Sequence, residues 1–297
     1  MKSSVFSIII VIGLLLPGCG IGGYHVMIFK NRPSFTDSFK NADSIDLVYK
    51  ILLPYQKEGQ INKHPLFIYI DGSGPHPLDL ARQGILVHFQ SAGFVAAMKQ
   101  KRGVKPSGGS FKDLTYRQRI QDNLDFIDFL CEKYPQIDSE HVFIMGHSEG
   151  ATIAGAVAAR YQNTAGLIWL SACLNEDFFE SVSKNYPLRE LEKIKEIRDG
   201  VNTKGRWQYY SKLWWHQRFN YKSIPELKKL TCPIMFVIGE LDPEYPLLRK
   251  RYKNLVEDGK KDISLFVVPS VGHGTIASEN AASLFSKIDS WIYEINR

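Results

Sequence analysis

The chain has 297 residues, 44% hydrophobic, 12% aromatic and 23% charged, with a formal net charge of +6. This balance excludes a disordered, collagen-like or acidic-tail protein, and the length suits one large α/β domain with an ample core. A mild positive charge spread along the chain makes no case for nucleic acid, and four cysteines without a C-x-x-C pair provide neither a disulfide scaffold nor a metal site.

Residues 1–20 read MKSSVFSIIIVIGLLLPGCG. Lys2 and the amino terminus form a positive end, and 5–16 is an apolar run. It is too short to cross a bilayer comfortably and suits the apolar region of a signal peptide. Leu16-Pro17-Gly18-Cys19 resembles the lipobox of bacterial lipoproteins, with Pro17 in place of the usual small residue. The resemblance implies removal of 1–18, a diacylglyceryl thioether on Cys19 and an N-acyl chain such as palmitate. Together these anchor more firmly than one acyl chain does. The folded domain is then expected outside the cytoplasm, on a membrane of a bacterial cell envelope. An ordinary secretory signal and an uncleaved anchor are the alternatives. Residues 19–44 read as a polar tether.

Short apolar runs follow at 45–53, 66–70, 93–98, 142–145, 167–170, 234–238 and 263–268. Bounded by Gly, Pro or Asp, they read as strands, most of them buried on both faces. Helical patterns lie between them. Residues 113–134 carry Ile120, Leu124, Ile127, Phe129 and Leu130, with Pro135 as the stop. Residues 151–160 are Ala-rich, and 278–295 place Leu284, Ile288, Trp291, Ile292 and Ile295 on one face. Alternating strands and helices predict a mostly parallel sheet with helices on both faces, and any site at the carboxyl ends of its strands.

Residues 173–230 break the alternation. They hold Phe178, Phe179, Tyr186, Trp207, Tyr209, Tyr210, Trp214, Trp215, Phe219 and Tyr221 and no convincing buried strand. Such a segment reads as a helical insertion, either a lid over an apolar pocket or a packed subdomain, with the lid favoured. Cys131, Cys173 and Cys232 sit among apolar residues and read as buried thiols.

The run 142–145 leads directly into Gly146-His147-Ser148-Glu149-Gly150, and the small-residue stretch ATIAGAVAA follows. A serine on a strained turn between a buried strand and a helix needs glycine two residues away on either side, because side chains there would collide. The helix start favours developing negative charge. At this point the chain resembles the α/β-hydrolase superfamily, over roughly residues 45 to 297. The resemblance implies an α/β-hydrolase fold with an inserted helical lid and a triad in the order Ser, Asp, His. Ser148 is the nucleophile. Asp242, in Gly239-Glu240-Leu241-Asp242 after the 234–238 strand, is the acid, with Glu240 and Glu244 nearby. His273, in a glycine-flanked loop after the last strand, is the base. His147 inside the turn is expected to pack or hydrogen-bond.

The oxyanion hole is expected from the backbone N–H groups of Glu149 and Ser73, with Gly74 as the other possibility. Asp71-Gly72-Ser73-Gly74-Pro75 resembles the H-G-S-G-P segment of a serine-esterase branch, except that Asp71 stands where His is usual. Lys101-Arg102-Gly103 resembles a K-R-G segment of the same branch, and Arg102 is expected either to pair with Asp71 or Glu149 or to lie in a solvated loop. No metal or organic cofactor is called for. The expected activity is hydrolysis of a small-molecule carboxylic ester through an acyl-enzyme. A serine peptidase of aminopeptidase type, an acyltransferase and a non-catalytic surface-binding lipoprotein are the alternatives.

Overall fold

The computed structural model describes residues 34–295 except 57, 58, 60, 79, 185, 278 and 279. The expected signal sequence and Cys19 lie outside the described residues.

Each of the seven expected runs forms a strand. In chain order the first half is β1 (Ser34–Lys40), β2 (Asp46–Leu52), β3 (His64–Ile70), α1 (Leu80–Ser91), β4 (Val95–Lys99), α2 (Tyr116–Lys133), β5 (Ile137–His147), α3 (Glu149–Ala158) and β6 (Thr164–Leu170). After the insertion come β9 (Ile234–Gly239), α8 (Tyr245–Glu257), β10 (Ile263–Val268) and α9 (Ala281–Ile295). The insertion holds α4 (Asn175–Ser183), α5 (Leu188–Arg198), the two-residue strands β7 (Arg206–Trp207) and β8 (Tyr210–Ser211), α6 (Lys212–Asn220) and α7 (Ser223–Lys229).

The eight-stranded sheet runs β1-β2-β4-β3-β5-β6-β9-β10. From β4 to β10 every pairing is parallel, while β2 is antiparallel to both β4 and β1. The inner strands are buried on both faces. Leu66, Ile68 and Ile70 point into a core closed by α2, α3 and α8, and Phe67 and Tyr69 into one closed by α1 and α9. The sheet therefore sits between helices, as the continuous apolar runs require.

One boundary is corrected. Part of the expected tether, Ser34–Lys40, is an edge strand on β2, with Lys40 opposite Asp46. Buried Phe39 lies between exposed Ser38 and Lys40 and packs 5.3 Å from Phe126 and 5.1 Å from Phe129 of α2. An edge strand wetted on one face has the polar composition of a tether, which is why it reads as one. The helix expected at 113–134 begins instead at Tyr116. Thr115 accepts from the Gln118 N–H and the Gln118 side chain accepts from the Thr115 N–H, a capping box that fixes the start.

The insertion carries most of its aromatics inward, while Tyr209 is exposed. Tyr210 stacks on Trp214 at 3.9 Å, Trp215 packs against Trp207 at 4.6 Å, and Phe178 against Phe219 at 5.6 Å. Tyr210, Trp214, Trp215, Phe178 and Phe219 are all buried and continuous with the core above α2 and α3. The aromatic content of this segment is thus largely taken up by packing. Cys173 and Cys232 are buried and Cys131 is half-buried, all three as free thiols.

Candidate active site

β5 delivers the chain to Ser148, and α3 starts at the next residue. Ser148 has φ 54° and ψ −126°, a conformation L-residues rarely adopt. Its N–H donates to the Leu170 carbonyl at the end of β6 (2.8 Å), which holds the turn against the sheet. The flanking glycines answer a steric demand. A Cβ on Gly146 would strike the carbonyl of Gly150, and one on Gly150 would strike the carbonyls of Ile70 and Asp71.

Two loops beyond β9 and β10 bring the acid and the imidazole to this serine. Glu240 N–H donates to Val268 O (2.9 Å) and Leu241 N–H to Val271 O (2.9 Å), tying the loops together. The Asp242 carboxylate is fully buried. Its Oδ1 accepts from the Glu244 N–H (2.9 Å), and its Oδ2 lies 2.9 Å from His273 Nδ1. A carboxylate only accepts, so Nδ1 carries the proton and Nε2 presents its lone pair. His273 Nε2 stands 2.9 Å from Ser148 Oγ. The bond to Asp242 outweighs burial and raises the His273 pKa above its ordinary value. Such a chain can take the serine proton as Oγ attacks a carbonyl.

The neighbouring carboxylates face elsewhere. Glu240 accepts from the Ser270 N–H (3.0 Å), and Glu244 from the Cys173 N–H (2.6 Å) and the Ser181 hydroxyl (3.2 Å). His147 is half-buried, with Nε2 3.3 Å from the His273 carbonyl oxygen. Burial lowers its pKa to about 4, so it stays neutral beside the imidazole of His273.

The loop after β3 runs alongside the turn. A Cβ on Gly72 would stand 3.4 Å from the Ser148 Cβ. Ser73 is exposed there, while the Gly74 N–H donates to the Tyr210 hydroxyl of the insertion (3.0 Å). Of the two expected donors from this loop, Ser73 is therefore the better placed.

The expected partner of Asp71 is corrected. Buried Asp71 binds Lys101 Nζ at 2.7 Å and Arg82 Nε at 2.5 Å. Burial alone would raise its pKa, but the two cations outweigh it and hold the carboxyl below its ordinary value. Burial and the nearby Arg119 lower the Lys101 pKa to about 8. Arg102 reaches neither Asp71 nor Glu149. It is buried against Asp122 (2.6 and 3.1 Å) and reaches Asp43 (2.7 Å), so it is not a solvated loop residue either. Adjacent residues leaving β4 turn to different sides, and Lys101 rather than Arg102 faces the site. Glu149, also buried, is met by Arg119 of α2 and by Arg218 of α6 at 3.7 Å. The parts sequence reasoning missed are Lys101, Arg119, Arg218 and Tyr210. Only the charge of Asp71, in a segment bound for the core, signalled that a buried cation must exist.

Among the described residues no cluster of His, Cys, Asp and Glu could hold a metal ion, and no helix is long and apolar enough to cross a membrane.

Known folds resemble this one closely in shape and distantly in sequence. An α/β hydrolase, GrgF of Penicillium sp. sh18, superposes with a TM-score of 0.65 at 16% identity, covering 88% of this chain and 98% of that one. Est1E of Butyrivibrio proteoclasticus, solved with ferulic acid bound, gives 0.66 at 18% identity over 86% and 97%. An esterase of Pyrococcus furiosus, Pf2001, gives 0.65 at 13% identity over 89% and 91%. No curated protein matches the chain in sequence. The model of the prolyl oligopeptidase family matches residues 82–296. The chain is thus a hydrolase of α/β-hydrolase fold that belongs to the prolyl oligopeptidase family.

Proposed function

We propose that the protein is a serine hydrolase that cleaves small carboxylic esters through an acyl-enzyme. The observation that carries this reading is the continuous chain from Ser148 Oγ through His273 to buried Asp242, with both contacts at 2.9 Å and the serine on a strained turn. His273 takes the Ser148 proton as Oγ attacks the acyl carbonyl. Asp242 fixes the tautomer and stabilises the imidazolium. The N–H groups of Glu149 and Ser73 receive the oxyanion, and His273 returns the proton to the leaving alcohol. Water, activated by the same imidazole, then releases the acid.

A peptidase reading has its own support, the match to a peptidase family. Every group named above serves amide hydrolysis equally, so substrate panels decide between the two. We expect Ser148→Ala to lower kcat on p-nitrophenyl esters by about 10⁶-fold without unfolding the protein. Turnover of aminoacyl amides exceeding that of esters would overturn the ester assignment, and turnover retained in Ser148→Ala would overturn the mechanism.

We also propose a lipid anchor at Cys19 and an extracytoplasmic domain, on the strength of the lipobox-like sequence. Cys19→Ala should abolish incorporation of labelled palmitate and release the protein from membranes. Incorporation unaffected by the substitution would overturn the anchor.

A further inference from the structure

A guanidinium buried in the core has to be placed by what it binds, since leaving its nitrogens without partners there is costly. Arg119, on α2, is buried to 2% exposure. Its Nη2 donates to the carbonyl oxygens of Asp71 and of Gly72, the latter at 3.1 Å. Its Nη1 meets the carboxylate of Glu149. One planar group therefore grips two segments far apart in sequence, the loop after β3 and the first residue of α3.

Those segments carry the two proposed oxyanion donors. The Gly72 carbonyl and the Ser73 N–H belong to one trans peptide unit, so they point in opposite directions. Holding the carbonyl toward Arg119 turns the Ser73 N–H away from it. On the other arm, holding the Glu149 side chain fixes the first residue of α3, whose N–H is the second donor. Neither donor is a side chain, so neither can be aimed by its own rotamer. The loop is secured further at Gly74, whose carbonyl accepts from Lys101 Nζ (2.9 Å) and whose N–H reaches Tyr210. Arg119 alone among these side chains touches both arms in the described structure.

We infer that Arg119 is a positioning residue that sets the spacing of the two oxyanion donors. It touches no substrate atom and acts through the Gly72–Ser73 peptide and Glu149. This inference rests on the ester-hydrolase reading above. Donors preorganised before reaction act on the charge that develops in the transition state, not on the neutral carbonyl of the ground state. Loss of Arg119 should therefore lower kcat and leave KM nearly unchanged.

The test compares wild type, Arg119→Met, Arg119→Lys, Glu149→Gln and Ser148→Ala on a p-nitrophenyl ester, with folding followed by circular dichroism. Arg119→Met should lower kcat about 100-fold, with KM within threefold. Affinity for a trifluoromethyl ketone, which forms an oxyanion on Ser148, should fall in parallel, while affinity for the product acid should hold. The acid limb of the pH profile should not move, because the His273–Asp242 pair is untouched. Arg119→Lys should recover part of the loss, since its single nitrogen cannot serve both arms. Glu149→Gln should lose less than Arg119→Met, because the grip on the two carbonyls remains.

Where Arg119→Met does not fold, Arg119→Lys carries the same kcat, KM and ketone readouts. A folded Arg119→Met enzyme, or Arg119→Lys where the Met variant does not fold, with kcat within threefold of wild type, or with KM raised and kcat unchanged, would overturn the inference alone. Ester turnover that survives Ser148→Ala would overturn the parent reading as well.

Discussion

Replacing Asp242 by Asn tests the triad through a consequence of local geometry. Asp242 Oδ1 accepts from the Glu244 N–H at 2.9 Å, and Oδ2 faces His273 Nδ1 at 2.9 Å. An Asn at this buried position has one oxygen and one NH2 to place. The Glu244 N–H needs an acceptor, so the oxygen goes there and the NH2 turns toward His273. The NH2 then donates to Nδ1, which drives the imidazole proton onto Nε2. Nε2 is the atom 2.9 Å from Ser148 Oγ, and with a proton on it the imidazole cannot accept another. A wrong tautomer of this kind lowers kcat by about 10⁴-fold, or roughly 5.4 kcal/mol of barrier. The acid limb should move too. His273 must be neutral to act, so kcat/KM of wild type rises with pH through a midpoint above the ordinary imidazole value of about 6.5. Removing the Asp242 carboxylate removes the main cause of that upward shift, and the midpoint should fall. Asp242→Ala, which imposes no tautomer, should be no worse than Asp242→Asn. The assay is the pH dependence of p-nitrophenyl ester hydrolysis with folding checked by circular dichroism. A folded Asp242→Asn enzyme within tenfold of wild type, with its midpoint unmoved, would show that Asp242 does not set the His273 tautomer.

Ser148→Gly should remove activity yet stabilise the fold by about 1 kcal/mol, seen as a Tm rise of about 2–4 °C, because glycine relieves the φ of 54°. Gly150→Ala should cost at least about 3 kcal/mol in urea unfolding or prevent folding, since its Cβ meets the backbone carbonyls of β3 and its loop rather than a side chain that can move. Lys101→Met should cost about 3 kcal/mol in urea unfolding by leaving Asp71, among the described residues, with the half-buried Arg82 as its remaining ion-pair partner, and Asp71→Asn in the same chain should restore part of the loss. The folded-state pKa of Asp71 is lowered, so its stabilisation is present above the ordinary carboxylate range and fades as pH falls through the depressed value. Wild type should accordingly lose stability on acidification more steeply than the Asp71→Asn variant.

The sequence was most readable where backbone geometry restricts residue choice. A serine at positive φ between a buried strand and a helix forces Gly146 and Gly150, so that turn announces itself. Continuous apolar runs likewise marked the inner strands, because both faces are covered. β1 was hidden because one of its faces is wet, and its buried Phe39 depends on α2, some 90 residues away, for partners. Ion pairing was least readable. Lys101 and Arg102 are neighbours of one charge, yet one turns to Asp71 and the other to Asp122, a choice made by the exit path of β4 and not by composition. Arg119 lies in a helix whose pattern, read alone, allows a solvated arginine. Its burial follows from where α2 crosses the loop after β3, which no local periodicity encodes.

The proposed chemistry requires Ser148 to be an activated nucleophile, and covalent labelling tests that directly. Incubation with a fluorophosphonate, followed by peptide mass mapping, should place a single adduct on Ser148. The adduct should be lost in Ser148→Ala and strongly slowed in Asp242→Asn. A native protein left unlabelled, or one labelled at another residue with Ser148 intact, would rule out Ser148 as the nucleophile.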